Sequence, residues 1–143
     1  MDQSGTAIQR FFNTFEINNS GADIPTIVSQ FADPFMAAGP NGSQCVRAAD
    51  FALALPKRKQ LFESLGSKST TLLSLDESPL DARYVLAKSR WQFNFDSHQS
   101  GKQQVTADAV YIVDTAGGMP KIVLYLANQD IMAVLKERGI LPG

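Results

Sequence analysis

The chain has 143 residues, of which 44% are hydrophobic and 19% are charged, and its net charge is −1. This length predicts one domain, residues 1–143, with a core that needs no disulfide. The single His and single Cys exclude an internal disulfide and a metal site built on paired His or Cys, so neither metal nor cofactor is expected. The balance of 13 basic and 14 acidic residues argues against nucleic-acid or membrane partners. The longest apolar run, residues 122–127, is too short to cross a membrane, and we expect a cytoplasmic protein.

Two helical patterns come first along the chain. Apolar residues recur at i, i+3, i+4 and i+7 from Ile8 to Phe15, which predicts an amphipathic helix that stops at residues 18–21. Asp23 is the expected N-cap of a second, short helix, and the pair Asp33-Pro34 is expected to end it. The predicted buried face of this second helix comprises Ile24, Ile27, Val28 and Phe31.

A hairpin and a third helix are predicted next. Residues 35–38 and 43–47 have the composition of two short strands around a turn at residues 39–42. Asp50 is the expected cap of a helical region that ends at Gly66, with a kink or a break at Pro56.

The second half of the chain is predicted to be mostly strand. Four segments rich in β-branched, aromatic and leucine residues are separated by turn signals, which are clearest at residues 97–101 and 116–118. The segments are residues 69–78, 82–96, 104–114 and 120–129. A last helix is predicted over residues 131–138, with Asp130 as its cap. Helices first and strands afterwards predict an α+β fold with an antiparallel sheet.

Alternation along residues 82–96 predicts how this strand pairs with the next. One face carries Val85, Ala87, Ser89, Trp91, Phe93 and Phe95. Placing Trp91 opposite Ala107 sets large residues against small ones on this face. The same register sets Arg90 opposite Asp108 on the other face, as an opposite-charge pair. Helices must cover the apolar face, and its small residues leave either a hollow or a space filled by helix side chains.

The last predicted strand is apolar on both of its faces. One face has Val123 and Tyr125, and the other has Ile122, Leu124 and Leu126. Such a strand is expected to be covered twice, once by helices and once by a second copy of the chain in a homodimer. The residues expected at this outer-face interface are Leu86, Val110, Ile112 and Leu124.

Three short stretches resemble a known superfamily. Residues 129–141 look like the closing Asp…Leu-Leu-x-x-x-Gly-x-Leu segment of the SnoaL-like branch of the nuclear transport factor 2-like superfamily. Residues 31–35, Phe-Ala-Asp-Pro-Phe, resemble the Phe/Tyr-Ala-Asp-Asp turn before its first strand, and Gly42 and Asp50-Phe51 also fit its pattern. The resemblance implies a cystatin-like cone, in which a curved sheet and the N-terminal helices enclose a mostly apolar pocket, and which often dimerises through its outer sheet face.

The same resemblance directs attention to two stretches where enzymes of that superfamily carry an acid. Isomerase-type members place it just after the first-strand turn, which corresponds here to residues 35–39, and cyclase-type members place it in the last strand, which corresponds to residues 126–128. Neither stretch contains a carboxylate. A general base must reach its proton directly or through one water, so this chain departs from both patterns. Asp130 is interpreted as a helix cap, and His98 as a solvated turn residue.

The remaining polar candidates for contact with a ligand are Ser89, Trp91, Tyr111, Tyr125, Gln129 and Arg47. Arg47 suits either an anionic ligand group or a surface ion pair. The run Lys57-Arg58-Lys59 is interpreted as a solvated helix face. The leading hypothesis is binding of a small apolar or aromatic molecule, with no assigned catalysis. Two alternatives stay open: a ketosteroid isomerase-like or polyketide cyclase- or dehydratase-like enzyme, and a structural dimerisation module.

Overall fold

A computed structural model describes residues 7–21, 24–97 and 101–140 of the chain. The expected cap Asp23 and the turn residue His98 lie outside these residues. The described residues form four helices and six strands. In chain order these are α1 (Ala7–Gly21), α2 (Ile24–Ser29), β1 (Phe31–Gly39), β2 (Gly42–Val46), α3 (Ala48–Ser64), β3 (Ser67–Pro79), β4 (Tyr84–Ser97), β5 (Gly101–Asp114), β6 (Lys121–Ala127) and α4 (Ile131–Glu137).

The strands form one open sheet in the order β2-β1-β6-β5-β4-β3. The pair β1–β6 is parallel, whereas β1–β2, β3–β4, β4–β5 and β5–β6 are antiparallel. The α+β class is therefore confirmed, and the sheet is mixed where an antiparallel one was predicted. The parallel pair arises because β6 ends the β3–β6 meander beside β1, running in the same direction.

The register predicted for the two longest strands is confirmed. Trp91 pairs with Ala107, and Arg90 pairs with Asp108. The Arg90 Nε donates to Asp108 Oδ1 at 2.9 Å on the outer face. Size complementarity on one face and charge complementarity on the other were therefore sufficient to fix the pairing.

A β-bulge changes the faces of β6. Ile112 pairs with Leu124 and Val113 pairs with Ile122, so that Val123 is the extra residue. The bulge turns Ile122 to the inner face, where its side chain is fully buried. The prediction that Ile122 shares the outer face with Leu124 was therefore wrong, because one additional residue reverses the alternation.

The helix boundaries differ from prediction in the first half of the chain. Helix α2 ends at Ser29, before Asp33-Pro34, because Phe31 joins the sheet beside Ile122. Helix α3 continues through Pro56 without a break, and its N-cap is Arg47. The predicted cap, Asp50, lies in the first turn instead. The Asp33 carboxylate serves as the cap in place of Asp50, because it accepts a hydrogen bond from the Ala48 N–H at 3.0 Å.

The predicted cap of the last helix is confirmed. Asp130 Oδ1 accepts from the backbone N–H groups of Met132 at 3.1 Å and Ala133 at 3.3 Å. These bonds, together with one from the Asn41 side-chain amide, hold the pKa of the Asp130 carboxyl below its usual range. A carboxylate held in this way stabilises the first turn of α4, which supports the interpretation of Asp130 as a cap.

Two clusters of buried side chains stabilise the fold. The first cluster joins α1 and α2 to the inner face of the sheet, and its centre consists of Ile8, Phe11, Phe12, Phe15, Phe31, Phe35, Trp91, Tyr111 and Ile122. The second cluster lies where α4 meets β4 and β5, and it consists of Phe62, Leu65, Phe95, Val105, Leu135 and Ile140. Phe93 contacts both clusters, so they form adjoining parts of one interior.

Candidate functional site

A cavity of about 330 Å³ lies between α3 and the inner face of the sheet, beside the first cluster. Its wall is mostly apolar, with aromatic rings from six elements. They are Phe15, Phe31, Phe35, Phe51, Trp91, Phe93, Tyr111 and Tyr125. The volume falls at the lower end of the range typical of small-molecule pockets.

Small side chains explain why the sheet leaves this space. Ala109 pairs with Ala127 across β5 and β6, and Ala107 lies opposite Trp91. These three alanines and Ala37 all contribute to the cavity wall. The neighbouring rings of Tyr111 and Tyr125, with centroids 5.3 Å apart, support each other and keep the hollow from closing. The size alternation noted in the sequence therefore leaves open space, and helix side chains do not fill all of it.

Trp91 is held by a hydrogen-bonded chain behind the cavity wall. Its Nε1–H donates to Ser89 Oγ at 2.9 Å, and the Ser89 hydroxyl donates to the Ala109 carbonyl at 2.8 Å. Ser89 is buried but does not line the cavity. Since the indole N–H already has an acceptor, Trp91 presents its ring to the cavity, and Ser89 positions that ring.

Tyr111 carries a buried hydroxyl at this wall. Burial raises the pKa of the Tyr111 hydroxyl, and Tyr125 raises it further. The positive charge of Arg58 and hydrogen bonding with Trp91 and Ser89 oppose that rise. The hydroxyl consequently stays protonated at physiological pH and remains a neutral hydrogen-bonding group.

Gln129 extends the hydrogen-bond ladder of the sheet with its side chain. After β6 ends, the Asp108 N–H donates to Gln129 Oε1 at 2.9 Å. The Asp108 carboxylate pairs with Arg90, and this hydrogen bond holds its pKa below the usual range. Asp108 and Gln129 both border the cavity, but the Asp108 carboxylate points to the outer face of the sheet, where it pairs with Arg90.

The structure brings four of the six predicted site residues to the cavity wall. Trp91, Tyr111, Tyr125 and Gln129 line it, Ser89 lies behind it, and Arg47 is an exposed residue that is not part of the wall. Whether any of the six contacts a ligand stays a prediction.

A different arginine lies on the wall. Arg58 lines the cavity from α3 and stacks over Phe62 with its Cζ 4.9 Å from the ring centroid. The sequence contained a signal for this placement, because Phe51, Leu55, Arg58 and Phe62 recur at i, i+4, i+7 and i+11 on one helix face. The run Lys57-Arg58-Lys59 is exposed, as predicted, and Arg58 also borders the cavity.

Residues 35–39 and 126–128 correspond to the positions where enzymes of the superfamily that the sequence resembles carry an acid. They contribute Phe35, Ala37 and Ala127 to the wall. Within residues 7–21, 24–97 and 101–140, no group of three His, Cys, Asp or Glu side chains is placed to hold a metal ion. Among the same residues, no helix is long and apolar enough to pass through a membrane.

Solved structures share this architecture at low sequence identity. An NTF-2 like protein of unknown function from Shewanella oneidensis MR-1 aligns with a TM-score of 0.70 at 13% identity, covering 85% of this chain and 96% of its own. The β subunit of benzoate 1,2-dioxygenase from Burkholderia mallei ATCC 23344 aligns at 0.71 and 12%, covering 94% and 96%. A ketosteroid isomerase-like protein from Erwinia carotovora atroseptica SCRI1043 aligns at 0.65 and 13%, covering 85% and 92%.

The fold is that of the nuclear transport factor 2-like superfamily. No protein-family profile matches the sequence, and no curated protein matches it either. The resemblance seen in the sequence is confirmed at the level of the nuclear transport factor 2-like fold, whereas the SnoaL-like branch stays a prediction. Because this fold carries catalytic and non-catalytic proteins alike, the function must be argued from the cavity and the surfaces.

Proposed function

We propose that this protein is a single nuclear transport factor 2-like domain of the SnoaL-like branch that binds a small apolar or aromatic molecule in the cavity. The single observation that carries the proposal is a hollow of about 330 Å³ walled by aromatic rings and alanines. Such a wall offers ring stacking and desolvation to a flat apolar ligand. A cytoplasmic location, expected because no apolar run is long enough to cross a membrane, is part of the same proposal.

Binding without catalysis is favoured because Asp108 is the one acidic residue among the described residues that border the cavity, and its carboxylate lies on the outer face of the sheet. Asp108 is ionised and paired with Arg90, and a general base for proton abstraction works best with a pKa near the operating pH. Tyr111 supplies a neutral hydroxyl, which suits recognition of a polar atom on a ligand. The isomerase-like alternative would need a base other than Asp108.

The test is a thermal-shift screen with neutral apolar aromatics, followed by titration of the intrinsic fluorescence. Trp91 is the single tryptophan of the chain, so its emission reports directly on the cavity wall. A ligand present at 100 times its Kd raises the free energy of unfolding by about 2.7 kcal/mol. We expect hits that change Trp91 emission in the wild type.

The matched variants are Ala109→Leu, which fills the cavity, and Ala49→Leu, which adds the same side chain at an exposed position of α3. Binding should be lost in the first and retained in the second. A screen without hits, or equal binding by both variants, would contradict the proposal.

A second function, self-association, is favoured by the outer face of the sheet. The observed register aligns Leu86, Ile112, Leu124 and Met36 in one row across β4, β5, β6 and β1. Val110 and Leu126 form a second row beside the first. Met36 and Leu126 are 38% and 37% exposed, so the patch is open to solvent in the single chain. We infer that a second copy of the chain covers it in a homodimer.

Sedimentation of Leu124→Glu tests this interface against Leu53→Glu, which puts the same charge on an exposed leucine of α3. The wild type and Leu53→Glu should sediment as dimers, and Leu124→Glu as a monomer with unchanged circular dichroism. A monomeric wild type would remove the homodimer, and with it the interpretation of the chain as a dimerisation module.

A further inference from the structure

Arg58 is a solvent-exposed cation on a mostly apolar wall. Its recorded contact is the stacking on Phe62, and no carboxylate of the described residues forms an ion pair with it. The other charged residue on the wall, Asp108, is neutralised by Arg90 on the outer face. The α3 side of the cavity therefore has a solvent-exposed positive charge that pairs with no carboxylate of the described residues.

The field of this guanidinium reaches the cavity interior. Its charge acts on the hydroxyl of Tyr111, at the opposite wall, and lowers the pKa of that group against the effect of burial. Lys57 and Lys59 flank Arg58 in sequence but point to other sides of α3, and neither lines the cavity. An anion in the cavity would consequently be attracted toward α3.

Gln129 supplies a second donor at the same cavity. Gln129 Oε1 accepts the Asp108 N–H, and the Nε2 amide, which is still able to donate, forms no hydrogen bond with the other described residues. A guanidinium and an amide NH₂ are the groups that suit the two oxygens of a carboxylate.

From this arrangement we propose that the ligand is an aromatic carboxylate, with its ring among Trp91, Tyr111 and Tyr125 and its carboxylate bound by Arg58 and Gln129. The inference rests on the proposed function and names the ligand class for that cavity. A cavity of about 330 Å³ holds one or two fused rings. Charge-assisted hydrogen bonding by a planar guanidinium then distinguishes the acid from a neutral molecule of the same shape.

Isothermal titration calorimetry with 2-naphthoate and 2-naphthamide tests this choice, because the two probes share one ring system and differ in charge. The wild type should bind the acid about tenfold more tightly than the amide. Arg58→Gln should lose that preference and keep its affinity for the amide within about twofold. Arg58→Lys should retain part of the preference, since it keeps the charge but not the planar fork.

Lys57→Gln is the matched control, because it removes one positive charge from the neighbouring position and does not touch the cavity wall. It should keep the tenfold preference. A wild type that binds both probes equally, or an Arg58→Gln variant that retains the preference, overturns the anionic subsite while amide binding leaves the proposed function standing. Binding of neither probe also overturns the inference, and the screen with neutral aromatics then decides whether the cavity function fails with it.

Discussion

The two clusters of buried side chains differ in how completely they fill the interior of the protein. In the second cluster, Leu135 and Val105 are fully buried beside the ring pair Phe62 and Phe95, and none of its six members lines the cavity. In the first cluster, large rings contact one another beside alanines, with Phe31 and Phe35 at 4.5 Å and Phe12 and Tyr111 at 5.0 Å between centroids. Rings that brace each other in this way keep their positions without filling the space between them. The difference shows that a stable core and a ligand-sized hollow can lie side by side under one sheet.

The largest effect is expected in the filled region. Leu135→Ala should lower the free energy of unfolding by about 2–5 kcal/mol, because removing a buried leucine leaves a new void among close-packed neighbours. Urea unfolding measures this value. The control, Leu53→Ala, changes an exposed leucine on α3 and should stay within about 0.5 kcal/mol. If Leu135→Ala lowers the free energy of unfolding by less than about 1 kcal/mol, the second cluster is not close-packed around Leu135.

A smaller effect should separate two alanines on the same sheet face. Ala87 is fully buried and does not line the cavity, so Ala87→Leu should overpack its site and cost about 1–3 kcal/mol. Ala109 lines the cavity, so Ala109→Leu has room for its side chain and should change stability by less than about 1 kcal/mol. If Ala87→Leu and Ala109→Leu lower the free energy of unfolding in urea by the same amount, the cavity beside Ala109 is closed in solution.

The smallest effect concerns pH. Burial raises the pKa of Tyr111 in the folded state, whereas an unfolded tyrosine ionises near 10. The stabilising contribution is complete below pH 10 and is lost as pH rises toward the folded pKa, because the unfolded state releases its proton first. Between pH 10 and 11, the wild type should lose about 1 kcal/mol more than Tyr111→Phe.

Urea unfolding at fixed pH steps from 8 to 11 provides the comparison. The other two tyrosines are present in both proteins, so the difference in slope belongs to Tyr111. Parallel pH profiles would show that water reaches this hydroxyl through the cavity.

The pairing of the long strands could be predicted because two independent signals agreed. The size match of Trp91 with Ala107 and the charge match of Arg90 with Asp108 required the same register, and a one-residue shift would lose both. The cap at Asp130 could be predicted for a similar reason, since it depends on residues adjacent in sequence.

Features set by distant contacts were missed. Because β6 is apolar on both faces, its sequence has no alternation of polar and apolar residues that a bulge at Val123 could interrupt. The inward position of Ile122 could therefore not be predicted from the sequence. Phe31 has helical spacing with Ile27 but pairs with Ile122, which lies 91 residues later in the chain. The Asp33 contact with Ala48 depends in turn on where β1 lies. The wall position of Arg58 likewise depends on which face α3 turns to the sheet.

Two glutamines that border the cavity, Gln129 and Gln44, differ in how strongly the sheet depends on them. The Gln129 amide oxygen closes the backbone ladder at Asp108, so a replacement chosen for a new ligand also leaves a peptide N–H without its acceptor. Gln44 lies on the same wall at an exposed edge strand, and no bond of its side chain is recorded among the described residues. Substitution at position 44 should therefore change the cavity wall at little cost in stability, whereas position 129 is constrained by the sheet.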